Sequence, residues 1–363
     1  MADDIEIRPA RPEDGPALQQ SVERINNETE FLGVPGQGHP WDGRFAEELR
    51  RLAETASGAV LLALAAGGEI VGYLSAFRGG FARNRGSLFI AVVGLRAAWR
   101  GRGIGTRLFA AVEDWARAQG CWRLDLRVSA LNARGQALYR KCGFAVEGRI
   151  REGVMRDGAW SDDLWMAKLL DPRLPALPMP PSAPRRRPRQ HAVGTLVVRE
   201  LRPGDGACLR DWEMRMAASL PAAVKQPGEV APAEAIERDL AAPGGDPHCW
   251  LVAVQPDMYG PEAVMALATA AIEPRFRMQH DAYVNVAVLP EWTGQGLASR
   301  LHRRAEEWAR ARGVHRLSAA VQAPNLAGRG FAAALGYAEE VVMRGYACID
   351  GRLVDRIRLG KLL

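Results

Sequence analysis

Three observations in the sequence predict an α/β fold that occurs twice in tandem. First, an apolar, strand-like run at residues 88–93 leads into the stretch Trp99-Arg100-Gly101-Arg102-Gly103-Ile104-Gly105-Thr106-Arg107-Leu108 and then into an amphipathic segment that ends at Gly120. Second, Leu124, Leu126 and Val128 alternate with Arg123, Asp125 and Arg127, the period-two pattern of a strand. Third, the same loop returns 193 residues later, with Gly294 standing where Gly101 stands. At 363 residues the chain is also longer than the roughly 100–200 residues of one domain.

The placement of the glycine stretch makes it a strand-to-helix loop. Without Cβ atoms at 101, 103 and 105 the backbone can take positive φ and come close to a ligand, with successive N–H groups converging on one point. The first turn of the next helix adds unpaired N–H groups and the positive end of its dipole, so the loop suits a phosphate. A dinucleotide fingerprint would need glycine where Thr106 stands. A nucleotide P-loop would need Gly-Lys where Thr106-Arg107 stand. What remains is Arg100-x-x-Gly103-x-Gly105, followed by Asn132 and by Ala137-Leu138-Tyr139-Arg140-Lys141-Cys142-Gly143-Phe144. Together these segments resemble the acetyl-CoA loop and the following N-x(4)-A-L-Y-x-K-x-G-F segment of the GNAT superfamily of N-acetyltransferases.

That resemblance implies two tandem domains, each a mixed, mostly antiparallel central sheet flanked by helices. It also implies acetyl-CoA as acetyl donor and a primary amine as acceptor, attacked directly in a ternary complex. The cofactor would be held by Arg100, Gly101, Arg102, Gly103, Ile104, Gly105 and Thr106, by main-chain groups at Val93 and Leu95 where the central strand splays from its neighbour after Val93, and near Asn132. Tyr139 would be the general acid for the leaving thiolate, since a phenol with a pKa of about 10 stays protonated at neutral pH. The strand 88–93 carries no carboxylate, so a general base is not readable; Glu28 and Glu30 are candidates from the neighbouring loop. Cys142 has no His or Asp partner at hand for nucleophilic catalysis.

Taken in order, residues 5–8 read as a strand, and Pro12-Glu13-Asp14 before Ala17, Leu18 and Val22 as a helix start. Residues 26–42, broken by Gly33, Gly36, Gly38 and Pro40, read as a loop, and 44–56 as an amphipathic helix. Residues 60–65 and 70–77 flank Gly67-Gly68 as a hairpin, and a polar turn at 81–86 precedes the central strand. From Thr106 the helix carries Leu108, Ala111, Val112 and Trp115 on a core face, and Gly120 stops it. Asn132 reads as the N-cap of the next helix. Residues 146–155 and 160–168 close a hairpin around Asp157-Gly158, and the first domain ends near Leu170.

Residues 171–194 hold seven prolines and Arg185, Arg186, Arg187 and Arg189, the composition of a stiff linker. After it Arg199-Glu-Leu-Arg-Pro-Gly-Asp echoes Arg8-Pro-Ala-Arg-Pro-Glu-Asp, and the second domain spans 195–363. The offset of 193 also matches Glu113 to Glu306, Trp115 to Trp308, Asn132 to Asn325, Gly143 to Gly336 and Lys168 to Lys361. At the proposed acid, however, Ala332 replaces Tyr139, and Thr293 replaces Arg100. Domain one is therefore read as the catalyst and domain two as a degenerate copy. The alternative is a non-catalytic, CoA-binding or structural pair.

Composition narrows the classes further. Hydrophobic residues at 48% and charged residues at 25% are those of a globular protein. The acidic start Met1-Ala-Asp-Asp-Ile-Glu is unlike a signal peptide, and 59–66 is too short to cross a bilayer, so a cytoplasmic protein without a membrane partner is expected. Five scattered cysteines with no C-x-x-C pair argue against disulfides and a structural metal. The net charge of +6 owes much to the four linker arginines, which weakens a nucleic-acid reading. Either a small-molecule amine or a protein amino group fits as acceptor.

Overall fold

The computed structural model describes residues 5–32, 43–156, 158–170, 196–219, 225–241, 248–255, 263–273 and 278–363. The expected linker at 171–194, residues 33–42 of the expected loop, and Asp157 of the expected turn lie outside the described residues. The chain divides into two compact units: Met1–Val154, Trp160–Ala176 and Met343–Leu353 in one, and Met155–Ala159, Leu177–Val342 and Val354–Leu363 in the other.

The first repeat runs β1 (Glu6–Pro9), α1 (Gly15–Asn27), α2 (Phe45–Thr55), β2 (Gly58–Leu64), β3 (Ile70–Arg78), β4 (Ser87–Leu95), α3 (Ile104–Ala118), β5 (Arg123–Ser129), α4 (Ala133–Lys141), β6 (Ala145–Arg156) and β7 (Ala159–Leu169). Its strands lie in the order β1-β2-β3-β4-β5-β7-β6. Pairs β1–β2, β2–β3, β3–β4 and β5–β7 are antiparallel, and β4–β5 is parallel. The apolar run of β2 shows why two helical layers form. Val60, Leu62 and Leu64 join Leu18, Val22 and Ile25 of α1 and Phe45, Leu49 and Leu52 of α2, whereas Leu61 and Ala63 join Ile104, Leu108 and Val112 of α3. Each fully buried large aliphatic side chain stabilises by about 1.5–3 kcal/mol, more than the ~1 kcal/mol span of strand propensity, so these two faces dictate the register.

Two local details refine the sequence reading. Pro12–Asp14 is a short 3-10 turn, and α1 begins after it, with the Asp14 carboxylate accepting Arg11 N–H at 2.7 Å and gripping both Arg8 Nη atoms at 2.7 and 2.8 Å. At the other end of the glycine loop's helix, Gly120 follows the Gln119 C-cap at φ +69° as expected. Trp115 packs against the core, as its helical spacing predicted.

The second repeat runs β8 (Val197–Glu200), α5 (Gly206–Ser219), α6 (Ala233–Ala241), β9 (His248–Gln255), β10 (Ala263–Ile272), β11 (Asp281–Val288), α7 (Leu297–Arg310), β12 (Arg316–Gln322), α8 (Leu326–Ala334), β13 (Ala338–Ile349) and β14 (Arg352–Leu362). The order β8-β9-β10-β11-β12-β14-β13 and the parallel pairing of β11 with β12 reproduce the first repeat. Its core unites α5, α6 and α7 with β9 to β12, and includes Leu209, Trp212, Ile236, Leu251, Leu267, Leu301 and Leu317.

Candidate active site

The parallel ladder between β4 and β5 runs from Ser87↔Arg123 to Ile90↔Leu126 and goes no further. On its other edge β4 stays paired with β3 as far as Gly72↔Leu95, and its register skips Ala91 between Ile90 and Val92. The extra residue is a bulge, which increases twist and turns the strand away from β5. The strands therefore part after Ile90, three residues earlier than the expected opening after Val93. Val93 and Leu95 both lie beyond that point, on the segment that β5 does not cover.

Past β4, the chain makes a 3-10 turn at Ala97–Trp99, and Arg100 is extended. Gly101 and Gly103 follow at φ +82° and +80°. Both are exposed, and a Cβ on Gly103 would meet nothing within 4 Å. Arg107 N–H closes the first bond of α3, on Gly103 O at 3.2 Å, leaving the N–H groups of Ile104, Gly105 and Thr106 ahead of the ladder. No acidic residue stands in that turn. An open, unpaired N–H cradle of this kind fits an anion such as a pyrophosphate. Gly105 departs from the expectation, for it lies inside α3 and does not have positive φ. Its missing Cβ serves packing instead, since one added there would stand 3.0 Å from Leu138 Cδ2.

The arginines divide into two groups. Arg100 turns back into the protein, donating from Nε to Leu95 O and from Nη2 to Glu28 O, each at 3.0 Å, and so braces the loop. Arg102 remains outside, stacked 4.9 Å over the Trp99 ring. Arg134, in the first turn of α4, brings Nη2 to 3.9 Å from where a Cβ on Gly101 would stand. The sequence reading missed Arg134; its signal was a basic residue two places after Asn132, absent from the second repeat, where Ala327 stands. Asn132 caps α4 as expected, accepting Gly135 N–H at 2.8 Å.

Tyr139 lies on α4, 9% exposed, with its ring centroid 5.4 Å from that of Phe109 and 6.4 Å from that of Phe144. Burial, with Cys142 adding to it, pushes the phenol up to about 12. Burial also raises the Cys142 thiol, against the pull of Lys168 and Lys141, so the thiolate needed for nucleophilic catalysis is disfavoured. Of the two base candidates Glu30 is exposed, while Glu28 is half-buried and bonded through both carboxylate oxygens. Its carboxylate accepts Arg96 Nε at 2.8 Å and the Ala97 N–H. Burial pushes the Glu28 carboxyl up, but the Ala97 and Arg96 bonds outweigh it and hold the group below its usual value. Among the described residues no group of three or more His, Cys, Asp or Glu side chains is placed to hold a metal.

The second repeat keeps the loop but has Thr293, Gln295 and Ala327 where the first has Arg100, Arg102 and Arg134. Gly294 and Gly296 sit at φ +81° and +74° before α7, and Asn325 caps α8 by accepting Gly328 N–H at 2.9 Å. The β11–β12 ladder ends at Tyr283↔Ser318, but β10–β11 pairs without a register shift from Ala266↔Val288 to Ile272↔Ala282. Ala332 occupies the position of Tyr139. Close to it His302 Nε2 meets Tyr337 Oη at 2.9 Å, where the first repeat has Phe109 and Phe144.

The sequence matches the model of the acetyltransferase (GNAT) family twice, over residues 21–144 and 215–337. An aminoglycoside N(6')-acetyltransferase type 1 from Stenotrophomonas maltophilia is 37% identical over 110 residues, 29% of this chain and 71% of that protein. A streptothricin acetyltransferase from Streptomyces lavendulae is 28% identical over 159 residues, 39% of this chain and 82% of that protein. Among solved structures, an acetyltransferase of the GNAT family from Streptococcus pneumoniae is 27% identical with a TM-score of 0.43, covering 46% of this chain and 99% of that one.

Proposed function

Since the chain belongs to the acetyltransferase (GNAT) family, we propose that it is an N-acetyltransferase whose N-terminal domain, residues 1–170, moves an acetyl group from acetyl-CoA to the primary amine of a small polar molecule by direct attack in a ternary complex. The observation that carries this reading is the joint presence, in the first repeat alone, of the Gly101–Gly103 cradle, the bulged and parted β4, and Tyr139. The names of the two curated relatives, an aminoglycoside and a streptothricin acetyltransferase, support a small amine over a protein amino group.

Bound acetyl-CoA supplies an activated acetyl group and a thiolate that leaves. The chain's part is to hold and orient. The N–H groups at Gly101 to Thr106 hold the pyrophosphate, with Arg102 and Arg134 adding positive charge and Arg100 keeping the loop in place. Main-chain groups of the uncovered β4 segment around Val93 and Leu95 line the arm and offer an N–H to the oxygen on which charge develops. Asn132 sets the start of α4, and α4 carries Tyr139. With its pKa near 12, Tyr139 keeps its proton until the thiolate forms. Burial raises the phenol above a thiol of pKa about 8.5, so transfer to the thiolate is uphill and is coupled to loss of the amine's proton. Glu28, its carboxylate held by Arg96 and the Ala97 N–H and lowered below its usual value, is a weak acceptor for that proton, which favours water or an amine that arrives neutral.

For the second domain, residues 195–363, Ala332 favours a CoA-binding or structural role without turnover. The test uses the full-length protein. Titration with acetyl-CoA should show a site that Gly103→Val abolishes and Gly296→Val leaves intact, because a β-branched residue is strained at φ near +80°. Thiol release in the presence of aminoglycoside and streptothricin amines then reads turnover. Loss of binding only in Gly296→Val would move the site to the second domain, and a wild type that binds no acetyl-CoA would remove the reading.

A further inference from the structure

Glu28 is the C-cap of α1, its N–H on Ile25 O at 3.1 Å, while its carboxylate and main-chain oxygen reach the connection between β4 and the glycine loop. Its carboxylate holds Arg96 Nε at 2.8 Å and caps the 3-10 turn at the Ala97 N–H, while its main-chain oxygen receives Arg100 Nη2 at 3.0 Å. Arg100 in turn holds Leu95 O, the last residue of β4, at 3.0 Å. The same end of α1 is packed onto the strand: a Cβ on Gly94 would stand 2.7 Å from Ile25 Cγ2 and 3.1 Å from Leu32 Cδ1. The six-residue connection 95–100 is thus gripped at Arg96, Ala97 and Arg100 from one residue 68 or more positions earlier in the chain.

The second repeat supplies an independent observation. It has Val288, Leu289 and Thr293 where the first has Leu95, Arg96 and Arg100, and so lacks both the Arg96 partner and the Arg100 brace. Yet the same two elements are still joined, with the signs exchanged: Arg215 on α5, the counterpart of α1, pairs with Glu291 in the connection before Gly294. Two different residue pairs arriving at one link indicate that the link itself is required.

We propose that Glu28 is a positioning residue that couples the end of α1 to the acetyl-CoA loop, setting the height of the Gly101–Gly103 cradle relative to the uncovered segment of β4. The inference rests on the reading of that loop as the acetyl-CoA site. A residue that only supported the fold would lower the melting temperature on replacement and leave acetyl-CoA affinity alone. A positioning residue changes the affinity.

The experiment takes the full-length protein and its Glu28→Gln and Glu28→Arg/Arg96→Glu variants through three readouts: acetyl-CoA titration, thermal melting and backbone amide exchange over 95–103. The expected result is about tenfold weaker acetyl-CoA binding and faster exchange at Ala97 for Glu28→Gln. The charge-exchanged pair, which copies the polarity of the second repeat, should bind within about threefold of wild type. Affinity within twofold of wild type for Glu28→Gln, with only the melting temperature reduced, overturns the proposal. If the wild type binds no acetyl-CoA, the functional reading falls, but the exchange rates still decide the coupling: unchanged protection over 95–103 in Glu28→Gln refutes it.

Discussion

Tyr139 and Ala332 occupy matching places on α4 and α8, and the side chains near them have adjusted in opposite senses. Around Tyr139 the ring neighbours Phe109 and Phe144 are apolar and offer the phenol oxygen no partner of their own. Around Ala332 those two positions are His302 and Tyr337, which satisfy each other at 2.9 Å. Tyr139→Phe should therefore lower kcat by about 10²-fold or more with little change in the KM for acetyl-CoA, read by thiol release, because a general acid contributes roughly 10²–10⁴. A drop of less than about threefold would reduce Tyr139 to packing. In the second repeat His302→Phe alone strands a buried hydroxyl and should cost about 1–3 kcal/mol in urea unfolding, most of it regained in His302→Phe/Tyr337→Phe. Burial keeps His302 below its ordinary value, against Glu306 at 3.7 Å and with Lys361 assisting. The unfolded chain then binds the proton more readily, so stability should fall as pH drops below about 6.5, and the doubly substituted protein should lack that contribution.

Pairs of strands show the same give and take. Arg123 is fully buried at the start of β5, with Nε on Asp125 at 2.8 Å and its two Nη atoms on Glu147 at 2.9 and 2.6 Å. Arg316, at the start of β12, likewise binds Glu340, but its second carboxylate, Asp281, comes from β11 at 3.4 Å. The accompanying hydroxyl has moved the other way. Ser87 on β4 donates to Asp125 on β5 at 3.0 Å, whereas Ser318 on β12 donates to Asp281 on β11 at 2.7 Å. One buried arrangement of guanidinium, two carboxylates and a hydroxyl is kept while Ser and Asp trade strands. Arg123→Met should cost about 3–5 kcal/mol, since it leaves two carboxylates buried without a counter-charge. Chemical denaturation checks this value. On β2 a Cβ at Gly58 would stand 2.4 Å from Ala76 O of β3, main chain that cannot swing aside. Gly58→Ala should accordingly destabilise by about 1–3 kcal/mol.

Across the whole chain the repeats share an electrostatic vulnerability. Arg8 with Asp14 and Arg199 with Asp205 clasp the entry to the first helix of each repeat, and Lys168 with Glu113 and Lys361 with Glu306 tie the last strand to the long helix. Arg8 holds the Asp14 carboxyl below its ordinary 3.8. Burial would raise Asp205, Glu113 and Glu306, but their bonds to Arg199, Lys168 and Lys361 bring each below its ordinary value. Groups lowered in the folded state contribute stability that is present above their unfolded values and is lost as pH falls through the folded ones. Stability should thus be level through neutral pH on this account and decline below about pH 4.5. Lys168→Met/Lys361→Met should flatten that decline, as followed by melting temperature against pH.

Much of this was legible in the chain because it depends on near neighbours. The duplication, the positive φ of Gly101 and Gly103, the Asn132 cap and the apolar faces of β2 and α3 follow from local sterics and from periodicity, which any short window contains. The Arg8-to-Asp14 clasp recurs as Arg199 and Asp205 at the same six-residue spacing, a repetition visible in the sequence. Other features required distant residues to meet. Glu28 and Ala97 lie 69 positions apart, so nothing local separates a candidate base from a carboxylate held in a structural link. The parting of β4 from β5 at Ile90 depends on a bulge set by pairing with β3, and the packing role of Gly105 on the arrival of Leu138 from another helix. Where Ser and Asp, or Glu and Arg, have traded elements, each position viewed singly reads as a loss. The physical requirement is for a hydrogen bond or an ion pair between two surfaces, and folding satisfies it from either side.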